Sequence, residues 1–284
     1  MKFTKGRKAW AGVRKAPAVK GLPLKPSAAV AARYSAAVQG LIAPMIRDYE
    51  RTLKRLMNIE TGDRAMDANL GSQARIMLNQ LSEKWFARFR SDANAIVDKM
   101  VSQTDKAATF ALGASLKQLS GGLTIKQPAM PQKLADKVAA SAAANVALIK
   151  SIPEEFHNKI AGVVLRSIQE GGNGRSDIFK AALENISLEG EKAVKRAKLI
   201  TNLETSKLSS TIQTDRMEAV GVQRVEWRHS GGGAEPRELH LAYDRQIFDL
   251  NDPPIIDERT GQRGWGGELW NCKCFRVPVF DFSS

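Results

Sequence analysis

The chain has 284 residues, of which 43% are hydrophobic, and its formal net charge is +13 at pH 7. This length allows two domains of ordinary size. No apolar run approaches the roughly 18–20 residues needed to cross a bilayer, and no apolar stretch follows the basic N-terminus as a secretion signal requires. The two cysteines are separated by one residue, a spacing that suits a reducing compartment better than a disulfide-stabilised fold.

The positive charge is concentrated in the first 222 residues. From Gln223 onward, eight Lys/Arg stand against ten acids, so this part carries −2 and the rest of the chain carries +15. A field of this sign attracts phosphate backbones, anionic surfaces or acidic proteins without choosing among them.

Residues 1–26 contain eight Lys/Arg, three prolines and no acid. Like charges repel and little apolar surface is available, so we expect a disordered basic arm that orders on meeting a partner. A mitochondrial-type presequence is a competing interpretation, since it would also be basic and poor in acids. The arm residues expected to bind nucleic acid are Lys2, Lys5, Arg7, Lys8, Arg14 and Lys15.

Residues 27–130 predict a region of long helices. One helix is expected from Ser27 to about Ile59, and a second from Leu70 to about Leu119, on the order of 80 Å long. The second helix carries an apolar stripe along its length. A stripe this long exceeds the apolar surface that a small chain can bury, so we expect another subunit to cover it. The apolar stripe, with steps of three and four, consists of Leu70, Ala74, Met77, Leu81, Trp85, Phe89, Ala93, Ile96 and Met100.

Residues 131–222 predict a second helical set, with helices at about 132–150, 152–170, 177–185 and 191–220. Ser151 and Glu154 have the spacing of a capping box, which would start the second of these helices. The polar run Thr201 to Thr205 should face solvent, since Asn and Thr have no helical advantage of their own. Gly221 should end the last helix.

Residues 223–284 predict a small, loop-rich α+β module, so the fold class is mainly α with such a module at its end. Val222 to His229 and Phe275 to Phe280 alternate as half-buried strands do. Turn signals crowd the sequence between them. A piece of this size has few ways to bury enough surface by itself, and a metal or docking onto helices would stabilise it.

Two thiols and two imidazoles lie in this module, on Cys272, Cys274, His229 and His240. These donors suit a tetrahedral zinc ion, with His229 brought beside the cysteines if the two predicted strands are neighbours. The Cys-x-Cys spacing is shorter than usual for a zinc site. The alternative is two buried thiols and two hydrogen-bonded histidines in a small core.

An enzymatic interpretation is weaker. His229, His240, Asp244 and Glu238 could in principle assemble a nuclease site on nucleic acid held by the basic helices. The sequence contains no nucleophile elbow, P-loop, dinucleotide fingerprint or metalloprotease motif. A non-enzymatic role is therefore favoured, with the nuclease as the alternative.

Several short features occur in an order that resembles the phage head morphogenesis family, the minor head proteins similar to protein F of phage Mu. Asn202 stands where that family usually has Arg before Thr/Glu, and Arg245 where Gly often follows the Asp. The features run from Asn145-Val-Ala-Leu-Ile-Lys-Ser-Ile-Pro153 through the glycine-rich break before Ser176, the Arg196 to Thr205 helix, Gly221-Val-x-x-Val-Glu-Trp227 and His240 with Asp244, to Asn271-Cys-Lys-Cys274.

The resemblance implies a minor capsid protein of a tailed phage, located inside the virion head near the portal after assembly in the bacterial cytoplasm. Its implied role is head assembly and the packaging or ejection of DNA. The implied partners are the portal protein, the major capsid or scaffolding protein and packaged phage DNA, with multiple copies per virion and no membrane during assembly. Residues 1–130 lie outside the resemblance.

Overall fold

The computed structural model describes residues 19–60, 70–169, 175–231 and 236–280. Helices dominate, and the strands lie at the two ends of the described chain, which confirms the mainly α class with a small α+β module. The helices are α1 (Ala28–Glu60), α2 (Leu70–Leu119), α3 (Gln132–Gln169), α4 (Arg175–Ala219) and α5 (Glu238–Ala242). The strands are β1 (Val19–Lys20), β2 (Arg224–Arg228), β3 (Ile247–Asp249), β4 (Ile255–Asp257), β5 (Gln262–Arg263) and β6 (Phe275–Phe280).

The four long helices bury their apolar faces against one another in a single helical core. The predicted stripe of α2 forms part of it: Trp85 is 6% exposed, Phe89 0% and Met100 2%. Because α1, α3 and α4 of the same chain all contact α2, these residues need no second subunit to cover them. The expectation of an intersubunit stripe is therefore wrong.

The two predicted N-terminal helices are confirmed as α1 and α2, whereas the next four helices are two. The helix α3 continues through Pro153, and Ser151 does not cap a new helix because its hydroxyl donates to the Leu148 carbonyl within α3, at 2.8 Å. An interior proline costs about 3 kcal/mol. Contacts of α3 with both α2 and α4 offset that cost.

Three of the four polar residues in the 201–205 run of α4 face the core, and Asn202 is exposed as predicted. Thr201 and Thr205 are buried and return their hydroxyls to carbonyls of the preceding turn. Glu204, also buried, accepts a hydrogen bond at 3.2 Å from Asn145 on α3, and the Asn145 side-chain oxygen accepts one from Tyr34 on α1 at 3.0 Å. Periodicity could not show this, because partners on three helices satisfy these polar groups.

Residues 28–56 of α1 are long and apolar enough to cross a membrane by length and composition alone, contrary to the expectation that no apolar run approaches that length. The core helix of a folded protein meets the same criterion, and 44% of this window is buried inside the structure. The buried face includes Val30, Tyr34, Ile42 and Tyr49, which contact the helical core. The apolar character of α1 is thus explained by packing.

The main sheet has the strand order β1-β6-β2-β3 with antiparallel pairing throughout. The N-terminal segment belongs to this sheet: Val19 pairs with Phe280, and the Leu24 backbone N–H donates to the Arg276 carbonyl at 2.8 Å. The predicted arm of residues 1–26 therefore ends earlier, since 19–26 are held by the sheet. Residues 1–18 lie outside the described residues.

The C-terminal module does not form its core alone. The second hydrophobic cluster joins its residues, such as Trp227 and Trp265, to Leu24 from the N-terminal segment, Leu116 from α2 and Met217 from α4. The boundary placed at residue 223 separates elements that share one core. Docking onto helices, one of the two stabilising devices expected from the sequence, is present.

The helical core can be tested with two phenylalanines of the same helix. Phe89→Ala should lower the free energy of unfolding by about 3–5 kcal/mol, because it removes a fully buried ring. Phe110→Ala, at an 80% exposed position of α2, should change it by less than about 0.5 kcal/mol. Urea denaturation followed by circular dichroism measures both. Equal effects would show that α2 is packed differently.

Candidate metal centre

Strand pairing brings the ends of the module together. β2 and β6 are neighbours, as predicted, with Arg228 opposite Phe275. Cys274 and Cys272 therefore lie just beyond the end of β2, and Asn271, with a φ of 58°, turns the chain into this segment. The short helix α5 places His240 over the same point. Residues more than 30 positions apart thus meet at one edge of the sheet.

Three of the four predicted ligands form a compact group. The Nδ1 atom of His240 lies 3.4 Å from the Cys272 sulfur and 3.8 Å from the Cys274 sulfur, and all three ligand atoms lie within 4.8 Å of one another. With Zn–S bonds of about 2.3 Å and Zn–N bonds of about 2.05 Å, a tetrahedral zinc has S···N edges of about 3.6 Å. His240, Cys272 and Cys274 can therefore hold a metal ion.

The orientation of His240 suits a ligand. Its Nε2 atom lies 3.0 Å from the carbonyl oxygen of Ile256, which can only accept a hydrogen bond, so Nε2 carries the proton. The lone pair of Nδ1 then faces the two sulfurs. The ring is buried and packs edge-to-face against Trp227, with centroids 5.1 Å apart. A carbonyl that fixes the tautomer is the usual outer partner of a metal-bound imidazole.

The two thiols share their environment unequally. The pKa of Cys272 is lowered to about 4, although burial opposes this. The groups that lower it are the neighbouring Cys274 thiol, the His240 imidazole and the backbone N–H of Gly267, which lies 3.3 Å from the Cys272 sulfur. The hydrogen bond with Cys272, burial and the charge of Cys272 raise the pKa of Cys274. The pair therefore gives up its first proton readily and keeps the second until a cation replaces it.

The surroundings of Cys274 also favour a thiolate. The indole nitrogen of Trp227 is buried and has no hydrogen-bond partner within normal distance. Its N–H nevertheless faces Cys274 and lowers the pKa of that thiol, and the backbone of Ser230 has the same effect. A negatively charged sulfur would give the orphaned indole N–H an acceptor. The donors around the cluster therefore fit the metal-bound state better than two neutral thiols.

A glycine permits the close approach of the neighbouring turn. A Cβ atom on Gly266 would lie 2.7 Å from the Cys274 Cβ and 2.8 Å from its carbonyl carbon, so no other residue fits without displacing that cysteine. The next residue, Gly267, has a φ of 92° and supplies the N–H that binds Cys272. The run Gly264-Trp-Gly-Gly predicted this turn, but no feature of the sequence predicted that the turn contacts Cys274.

His229, one of the four predicted ligands, is not part of the group, whereas His240 is. His229 follows β2, which ends at Arg228; its backbone N–H donates to Asp244 at 2.8 Å, and its Nδ1 accepts from the Gly231 N–H at 3.2 Å. The strand adjacency that was set as a condition for placing His229 beside the cysteines is present. The imidazole that faces the sulfurs is nevertheless that of His240, because α5 positions it there.

The residues considered for a nuclease have the following contacts. His240 faces the sulfurs, and Asp244 accepts from the His229 backbone and lies 3.7 Å from the guanidinium groups of both Arg228 and Arg245. Glu238 begins α5. The six arm residues predicted to bind nucleic acid, from Lys2 to Lys15, lie outside the described residues.

Comparison with known proteins gives one distant relative and no assigned activity. A protein of Haemophilus influenzae described as uncharacterized is 28% identical over 271 residues, which cover 94% of this chain and 57% of that protein. The chain thus spans little more than half the length of this relative. No protein-family model matches the chain, and no solved structure matches it.

Proposed function

We propose that the protein is a minor head protein of a tailed phage, located inside the head near the portal and acting in head assembly and DNA packaging or ejection. One observation carries the proposal. The short features that resemble the head morphogenesis family are scattered over 130 positions, from Asn145 to Cys274, yet they meet in two places. Asn145 binds Glu204 in the helical core, and Trp227 and His240 meet the cysteines.

The charge distribution supports a role beside DNA and other head proteins. The +15 carried by residues 1–222 includes exposed cations along α1 and α2, among them Arg51, Lys54, Arg55, Lys84 and Arg88. Such a surface binds phosphates without regard to sequence. The partners proposed are packaged phage DNA, the portal protein and the major capsid or scaffolding protein, with multiple copies in each virion.

The metal proposed for the cluster is zinc. Two thiolates and one imidazole match its preference for sulfur and nitrogen donors, and the backbones of Gly267 and Ser230 support the Cys272 and Cys274 sulfurs. Bound to His240, Cys272 and Cys274, zinc would connect α5, the Gly264 turn and the start of β6. Zinc would thus add stability to the small second core.

The zinc proposal predicts different effects for substitution of the two histidines. Wild-type protein purified without chelator should contain about one zinc per chain, and His240→Gln should lose it and melt at least about 5 °C lower. His229→Gln is the matched control and should keep both the metal and the melting temperature, since His229 lies outside the cluster. Metal analysis and thermal melts with and without chelator make the measurement. Wild-type protein that is zinc-free and insensitive to chelator would eliminate the proposal.

The arm predicts a salt-dependent affinity for DNA. Deletion of residues 2–18 removes all six predicted contacts but keeps β1, whose pairing with β6 a longer deletion would destroy. The log–log slope of affinity against salt should flatten by up to about 5, at about 0.9 per phosphate contact. Replacing the six cations by Gln at constant length is the control for chain length. An unchanged slope in both variants would locate DNA binding on the helices or remove it.

The head location can be tested in particles. Phage carrying the gene should contain the protein in purified, DNA-filled heads by mass spectrometry, and its deletion should abolish infectivity while leaving tails intact. Complementation with the wild-type chain should restore infectivity. Absence from purified particles together with full infectivity of the deletion phage would contradict the proposal.

A further inference from the structure

The cluster of His240, Cys272 and Cys274 borders a cavity of about 470 Å³. Its walls come from four places: the start of α1, the middle of α4, Ser230 after β2, and the loop that leads into β6. Gly267 links the cavity to the cluster, because it lines the cavity and its N–H binds the Cys272 sulfur. Of the three ligands, Cys272 alone lines this cavity and is partly exposed.

The cluster offers a metal only three ligands from the residues described. Zinc takes four, and a site with three protein ligands keeps one position for water or another ligand. His240 and Cys274 are buried at 2% and 3% exposure, so a fourth ligand from outside must approach from the side of Cys272. That side is the cavity.

The cavity wall selects for an anion with an apolar body. It contains two lysines, Lys25 and Lys273, amide and hydroxyl groups such as those of Asn202 and Ser206, and no acidic residue. The remaining wall is mostly apolar, including Leu199, Leu203, Leu269 and Phe275. Two thiolates already neutralise a divalent metal, so the charge of an anionic fourth ligand would be balanced by the lysines.

We propose that the metal held by His240, Cys272 and Cys274 keeps its fourth coordination position open to this cavity, and that the cavity binds a carboxylate ligand with an apolar tail. This inference rests on the proposed metal site. The carboxylate oxygen completes the tetrahedron, and the tail lies along the leucines and Phe275. A cavity of this volume accommodates a small molecule or the end of a peptide.

Cobalt substitution of the full-length protein tests the proposal, because the visible spectrum of Co²⁺ reports its ligands. 4-Methylpentanoate should change the spectrum saturably, and 4-methylpentanamide, which has the same shape without the charge, should bind at least about tenfold more weakly. Lys273→Gln should also weaken carboxylate binding by about tenfold without changing the metal content.

Ala31→Trp should fill the cavity and abolish the response to carboxylate. Ala32→Trp, one residue further along α1 and outside the cavity wall, is the matched control and should respond like wild type. In each variant, the thiolate-to-cobalt band before ligand addition reports that the site is folded.

The outcomes separate the two proposals. Absence of the thiolate-to-cobalt band in wild-type protein overturns the metal site and this inference with it. A normal band that neither 4-methylpentanoate nor its amide alters overturns the open position alone, as a fourth ligand from the chain itself would produce. Equal binding of the acid and the amide overturns the selection for an anion.

Discussion

The buried guanidinium of Arg276 fixes the module to the rest of the chain. Arg276 is the second residue of β6 and is 1% exposed, and its guanidinium donates to the Thr214 hydroxyl at 2.7 Å and to the Ser210 carbonyl at 3.0 Å, both on α4. The ring of Trp265 lies 5.0 Å from its central carbon. Burial lowers the pKa of Arg276 to about 10, and the charge of Glu268 opposes this. A buried cation must keep such partners, so β6 has one position relative to α4.

The candidate site follows from that position. Cys274 lies two residues before Arg276, and the Arg276 carbonyl binds the N–H of Leu24 in the segment that enters α1. Three stretches of chain, near residues 24, 210 and 275, are thus joined through one residue. The cavity beside Cys272 is lined by α4, by the segment that enters α1, by the loop before β6 and by Ser230, so no single stretch of sequence predicts it.

The sequence could predict those features that depend on residues close together in the chain. The helices α1 and α2 and the strands β2 and β6 were predicted, because a period of 3.6 or 2 appears in any sufficiently long run. The continuity of α3 through Pro153 was not, since local propensity opposes it and packing against two helices decides it. The prediction that Thr201 and Glu204 face solvent also failed, because Thr201 bonds to the Ala197 carbonyl of its own helix and Glu204 accepts from Asn145 on α3.

The site was predicted in composition and partly in geometry. The thiol and imidazole donors were found from residue type alone, and strand pairing correctly placed the cysteines beside the end of β2. The prediction included His229 wrongly and His240 correctly, and the position of His240 depends on a five-residue helix, α5, that shows no periodicity at that length. The carbonyl of Ile256 and the close approach of Gly266 involve backbone atoms, which side-chain patterns do not report.

The proposed DNA-binding arm and the proposed metal site are physically connected through β1 and β6. The arm that carries the DNA prediction enters the described structure at Val19, which pairs with Phe280 at the far end of β6 from the metal cluster. Metal binding would order the first residues of β6 and thereby support its pairing with the N-terminal segment. Stability gained by metal binding at Cys272 and Cys274 would then reach Val19 through the pairing of β6 with β1. A head protein built in this way would hold its basic arm to the module and the helical frame at once, through the backbone hydrogen bonds of β6 and the side chain of Arg276.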